Sequence, residues 1–204
     1  MDDERESGRD ESAWFDPDTD ELEALATVVG ADRGTLPFAL VHGEALVACA
    51  AWALGETGAT LVDHGTSWAA LAEAELPLVL HDALCPMTPA CFLGRCARVA
   101  EERSAVVVGV RPVTDTVKTA TLADGVPVVG DTVDRSTLLT VTSPIVLPAA
   151  VVAALDGLPS TDFARLAGEL AQRYPVVTLE APPEGRRVGS LDDVRLLEAL
   201  TTPS

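Results

Sequence analysis

Lysine is almost missing from this chain of 204 residues, in which Lys118 is the only one. Basic residues number 14 against 32 acidic ones, a formal net charge of −18. That balance argues against nucleic-acid binding, which needs Lys and Arg along a basic face to neutralise phosphates. Long apolar runs are also absent. No stretch approaches the roughly 20 apolar residues that cross a bilayer, so no membrane partner is expected. No charged-then-apolar leader opens the sequence, and a cytoplasmic location follows as the expectation. Cys49, Cys85, Cys91 and Cys96 form no CxxC pair and have no histidine at zinc-finger spacing. His42, His64 and His81 make no HxH or HExxH pattern, so the thiols read as free and no transition-metal site is expected. No internal repeat is found.

What is present suffices for one substantial core, with 48% apolar residues. Nine of the eighteen excess negative charges fall in the first 23 positions. Residues 1–21 therefore read as a disordered acidic tail carrying Trp14 and Phe15, and 22–204 as an α/β domain. Within it, short apolar strands at 25–29, 59–62, 78–80 and 105–110 alternate with helices at 44–54, 67–75 and 88–102. The last of these is expected to be capped by Thr88. Such alternation is the pattern of βαβ units around a mainly parallel sheet. The rhythm breaks after residue 110, where 116–122 and 126–133 flank Asp124-Gly125, a hairpin signal. This arm, about 116–140, would expose open strand edges unless it paired with something, which points to a homodimer. A strand at 138–141, helices at 148–155 and 160–173, a strand at 176–179 and a helix at 191–200 complete the chain.

The stretch LVLHDALCPMTP, residues 78–89, places His81 and Asp82 where a buried strand empties into a turn. Ligands in open α/β sheets sit beyond the carboxyl ends of strands, so Asp82 stands where a metal or substrate is met. Cys85 with His81 as a nucleophile and base pair is the weaker reading, since no oxyanion-forming motif accompanies them.

Five segments in order, HDALCPMTP, VRPVTDTVK, DGVPVVGDTVDRSTL, STDFARLAGEL and RRVGSLDDVRLLEAL, resemble the 2-C-methyl-D-erythritol 4-phosphate cytidylyltransferase family over about residues 24–202. The resemblance implies a Rossmann-like nucleotide-diphospho-sugar transferase (nucleotidyltransferase) fold with an inserted β-arm. It also implies transfer of CMP from CTP, with Mg²⁺, to a phosphorylated polyol, and a homodimer joined by the arm. Carried over residue by residue, Asp82 binds the metal and the sugar phosphate, Thr116 hydrogen-bonds that substrate, and Arg135 reaches the substrate phosphate of the neighbouring subunit. Gly30, Arg33 and Gly65 fall on the nucleotide side. Arg33 and Arg187 are the catalytic cations, and Arg187 also meets substrate.

The pattern fails at other cations. Phe38 stands after Pro37 where the family carries a lysine, Cys85 replaces an arginine, and the glycine-rich loop is shortened to VVGADRGTLPFALV. A phenylalanine cannot stabilise charge developing on a phosphate, and removal of one such contact typically costs about 10² to 10³ in rate. The sequence thus describes a catalytically impaired paralogue keeping the sugar-phosphate half of its site. Its alternative is an active, divergent CTP-dependent nucleotidyltransferase of isoprenoid biosynthesis.

Overall fold

The computed structural model describes residues 22–63 and 65–202. The acidic segment 1–21 with Trp14 and Phe15, and also His64, lie outside the described residues. The chain runs β1 (Leu25–Val29), β2 (Leu40–Val41), β3 (Glu44–Ala45), α1 (Leu46–Gly55), β4 (Thr60–Leu61), α2 (Trp68–Glu73), β5 (Leu78–Asp82) and α3 (Ala90–Arg103). It continues through β6 (Val106–Pro112), β7 (Val117–Ala123), β8 (Val126–Val133), β9 (Leu139–Leu147), α4 (Ala149–Ala153), α5 (Phe163–Ala171), β10 (Val176–Glu180) and α6 (Leu191–Thr201). The main sheet has the order β10-β6-β9-β5-β1-β4. All its pairings are parallel except those of β9, which runs antiparallel to both β5 and β6.

Strand alternation builds a core on each face. Leu78, Leu80, Val106 and Val108 enter one apolar cluster with Leu166 and Leu170 of α5, whereas Val79, Val107 and Val146 enter the other with Phe92 and Leu93 of α3. Period-two side-chain direction makes a strand buried on both faces read as an unbroken apolar run. A third cluster joins Val41, Leu46, Leu84, Val188, Val194 and Leu197 and holds α6 against the end of the sheet.

Three of the sequence expectations change. Thr88 does not cap α3: Pro89 occupies that position, and the Thr88 hydroxyl donates to the Cys85 carbonyl instead. The strand expected at 138–141 extends to Leu147. Pro144 reads as a strand terminator because proline cannot donate to a ladder. It is tolerated here because the β6–β9 register slips beside it, between Val108 and Val110. At that slip Gly109 lies against Ser143, and a Cβ there would sit 2.5 Å from the Ser143 carbonyl oxygen. The helix expected from residue 44 begins at Leu46, because Glu44 and Ala45 pair with β2.

The hairpin expectation holds. β7 and β8 pair antiparallel around Asp124 and Gly125, whose φ angles of 52° and 79° are those of a two-residue turn suited to twisted strands. The arm forms its own two-stranded sheet and exposes Leu122, Val126 and Val129.

Candidate active site

The parallel register pairs Val29 with Asp82, so the loop after β1 starts beside the end of β5. On the other side, the Val188 amide donates to the Leu84 carbonyl and the Val188 side chain is buried, which fixes Arg187 next to the same strand end. Asp82 itself is fully buried. Its Oδ1 accepts from Arg33 Nε at 3.0 Å and from the Leu84 amide at 3.0 Å. Its Oδ2 accepts from Arg33 Nη2 at 3.2 Å and from Arg187 Nε at 3.1 Å. A carboxylate offers about four lone-pair positions, and this one has four donors.

Arg33 is bound further. Its Nη2 also donates to the Thr161 carbonyl at 2.7 Å and its Nη1 to the Ala31 carbonyl, while the guanidinium lies 5.9 Å from the Phe163 ring centre. The Thr161 hydroxyl in turn donates to Asp32 at 2.7 Å. Asp32 and Gly34, at φ 60° and 59°, bend the shortened loop so that it straps onto the start of α5. The Arg33 side chain is only 5% exposed, against 35% for Arg187. Arg33 is thus turned inward, and Arg187 is the more accessible cation.

The sequence-predicted residues separate into groups. Asp82, Arg33 and Arg187 meet directly, with Gly30 next to them, where a Cβ would stand 4.0 Å from that of Ala83. Gly65 is an exposed turn residue whose amide donates to Asp63. Thr116 is exposed just before β7, and Arg135 is held at the base of the arm by donating to the Thr114 carbonyl. Phe38, 70% exposed, ends a short 3-10 turn.

Sequence reasoning missed Ser143. Its Oγ accepts from the Asp82 amide at 3.0 Å and lies 2.6 Å from His81 Nδ1. It also missed a cavity of about 310 Å³ beyond Arg187, lined in part by Arg111, Thr140, Thr142 and Arg186. The alternation of Thr140 and Thr142 along 139–147 was the available signal, hidden by ending the strand at 141. Cys85 is fully buried, and burial together with the Asp82 charge pushes its thiol well above the usual range. It therefore stays protonated and is no nucleophile.

The family model for IspD, 2-C-methyl-D-erythritol 4-phosphate cytidylyltransferase, matches residues 50–178. The chain belongs to that cytidylyltransferase family. The bifunctional enzyme IspD/IspF of Anaeromyxobacter sp. (strain Fw109-5) is 34% identical over 146 residues, 67% of this chain and 36% of that protein. The 2-C-methyl-D-erythritol 4-phosphate cytidylyltransferase of Nocardia farcinica (strain IFM 10152) is 33% identical over 124 residues, 60% of this chain and 52% of that one. The aligned region thus spans about a third to a half of these curated relatives. The crystal structure of the cytidylyltransferase from Thermus thermophilus superposes with a TM-score of 0.64 at 24% identity, over 88% of this chain and 98% of that one. The fold is therefore that of the cytidylyltransferases, a mostly parallel sheet flanked by helices.

A magnesium ion does not fit Asp82 in this arrangement, because an arginine would have to leave before an oxygen became free. Among the described residues, no group of three or more His, Cys, Asp or Glu side chains could hold a metal ion. No catalytic step is derived through one.

Two consequences are measurable. Removing one partner of a buried ion pair leaves the other uncompensated, so Arg33→Met should lower unfolding free energy by about 3 kcal/mol. The part-exposed Arg187→Met should cost about 1 kcal/mol. Denaturant titration that ranked the two the other way would contradict the division of roles given above. The second consequence concerns His81, whose pKa burial lowers to about 4, with Asp82 opposing the shift. An unfolded histidine titrates near about 6.5. The folded form stays neutral between those values while the unfolded chain takes up a proton. This contribution is complete above pH ~6.5 and is lost as pH falls toward ~4, with a slope of up to about 1.4 kcal/mol per pH unit. Unfolding measured from pH ~5 to ~6.5, above the usual carboxylate range, should show a slope that His81→Asn flattens by about one proton.

Proposed function

We propose that this chain is a catalytically impaired cytidylyltransferase-like protein that keeps the acceptor half of its site and dimerises through its arm. The observation that carries the reading is the double engagement of Asp82 by Arg33 and Arg187. Cytidylyl transfer brings the phosphate oxygen of one anion to the α-phosphorus of another and expels pyrophosphate, so it needs cations aimed at the developing charge. Arg33 is held inward on Asp82 and on two backbone carbonyls. Phe38 and Cys85 supply no charge in the places where the family resemblance calls for cations. CTP is the nucleotide such a site would meet, with Mg²⁺ arriving on its phosphates. Arg187, more exposed and bound to Asp82 by one nitrogen, is left to meet the acceptor phosphate. Asp82 would act by orienting both arginines, with Gly30 and Gly65 bordering the reduced nucleotide side. Thr116 and Arg135 belong at the root of the arm, where a second subunit would bring them to a substrate. The cytoplasm is the proposed location, and no helix among the described residues is long and apolar enough to cross a membrane.

Incubation with CTP, methylerythritol phosphate and Mg²⁺ should release no pyrophosphate above background at micromolar protein. Phe38→Lys alone should not restore release, because Arg33 stays on Asp82. Robust turnover by the unaltered protein would overturn the proposal in favour of an active, divergent enzyme. Light scattering at tens of micromolar, roughly where a weak dimer still forms, should give the mass of a dimer. Replacing Leu122 and Val129 with Asp should shift it to a monomer, whereas a dimer unaffected by those changes would place the interface elsewhere.

A further inference from the structure

Helix α1 reads LVACAAWALG and carries no charged side chain. A helix that is apolar all round is normally buried all round. This one buries Leu46, Ala50 and Leu54 on one side and leaves another side open, with Trp52 59% exposed. Cys49, Trp52, Ala53 and Glu56 follow one another at helical spacing, so they form a single stripe. That stripe lines a groove of about 380 Å³, facing the turn from Pro86 to Ala90 that leads into α3. Glu44, just before α1, and Glu56, just after it, also line the groove, and among the described residues no lysine or arginine does. The helix between these two carboxylates has 10 residues, about 15 Å at helical rise.

We propose that this groove docks a basic amphipathic helix of a partner protein, with its apolar side chains on Trp52 and Met87 and its lysines or arginines on Glu44 and Glu56. An apolar groove that accepts the apolar face of a helix is a recurring mode of recognition. The charges decide which helix. Glu56 caps the C-terminus of α1, where the helix dipole disfavours a negative charge, and no basic residue in the last turn offsets it. A cation supplied there would meet Glu56 and also the Trp52 indole, one helical turn away. Burial raises the Cys49 thiol above its usual range and the Glu44 charge raises it further, so the field of Glu44 reaches the groove. The same charges disfavour nearer occupants. A second copy would set glutamate against glutamate in a chain of net charge −18, and the first 23 residues bring nine excess negative charges of their own. The proposal stands apart from the reading of the Asp82 site, since none of Asp82, Arg33 and Arg187 lines the groove.

Fluorescence anisotropy of the full chain with labelled helical peptides of about 14 residues, roughly four turns, tests this. The probe carries leucines along one face and lysines at both ends. One control scrambles the same residues so that the leucines share no face, and a second replaces every lysine with glutamate. The probe should bind at least about tenfold tighter than the scrambled peptide, and the glutamate peptide should not bind measurably. Trp52→Ala should weaken the probe about tenfold, as expected for an aromatic anchor, with little change in melting temperature because the side chain is exposed. Glu44→Gln and Glu56→Gln should each weaken it about threefold, and less at high salt. Equal binding of the probe and the scrambled peptide would overturn the proposal, since general attraction to an acidic protein needs no groove. So would unchanged binding by Trp52→Ala. Two further results would name another occupant and overturn it as well. A smaller mass by light scattering for Trp52→Ala than for the unaltered chain would put a second copy in the groove. Tighter probe binding after Trp14→Ser with Phe15→Ser would put the chain's own amino-terminal segment there.

Discussion

Asp82 is the group around which the end of the sheet is organised. An ionised carboxylate with no solvent access is tolerated only if cations and donors surround it, because the loss of hydration for a buried ion amounts to several kcal/mol. The chain answers with two arginines from nearly opposite ends of the sequence and with the Leu84 amide in the turn that follows β5. The loop after β1, the turn after β5, the start of α5 and the segment before α6 converge because each brings a donor, or the anchor of a donor, to this carboxylate. Ser143 completes the arrangement from β9 through the Asp82 amide.

The same interaction separates stability from catalysis. A phosphate-transferring site needs cations that are held in place and still unneutralised toward the ligand. Arg33 satisfies the first condition and, on the proposed reading, fails the second, since four of its five N–H donors already have oxygen partners within the protein. Arg187 meets both in part, being more exposed and singly bound. The asymmetry follows from the shortened loop: Asp32 and Gly34 fold it back so that Arg33 points at the sheet, and Thr161 secures it there. On the proposed reading, this site keeps its acidic residue and two cations while lacking the electrostatics of group transfer.

The antiparallel β9 is a second organising feature. The excursion of the arm reverses the chain, so β9 returns between β5 and β6 against their direction. That return carries Thr140 and Thr142 to the cavity wall and Ser143 to Asp82. Without the arm, a strand leaving β6 through a helical crossover would run parallel and present other residues at this end of the sheet.

Local pattern was enough for much of this protein. The apolar runs of β1, β5 and β6, the Asp-Gly turn and the family membership depend on neighbours in sequence or on the order of motifs, and all were readable in one dimension. The convergence of Asp82, Arg33 and Arg187 was readable as proximity through the family resemblance, but their mutual neutralisation was not. Whether a guanidinium faces a ligand or a carboxylate depends on side-chain direction and loop curvature, which no spacing encodes. Pro144 hid the second half of β9 because its missing amide matters only where a ladder bond is needed, and the register slip that removes that need is a property of two distant strands. Arg111, Thr140 and Thr142 looked like ordinary strand residues for the same reason. Their significance arises only when the sheet order brings them to a cavity beside Arg187. Sequence decided which groups were available, and packing decided which of them were already satisfied.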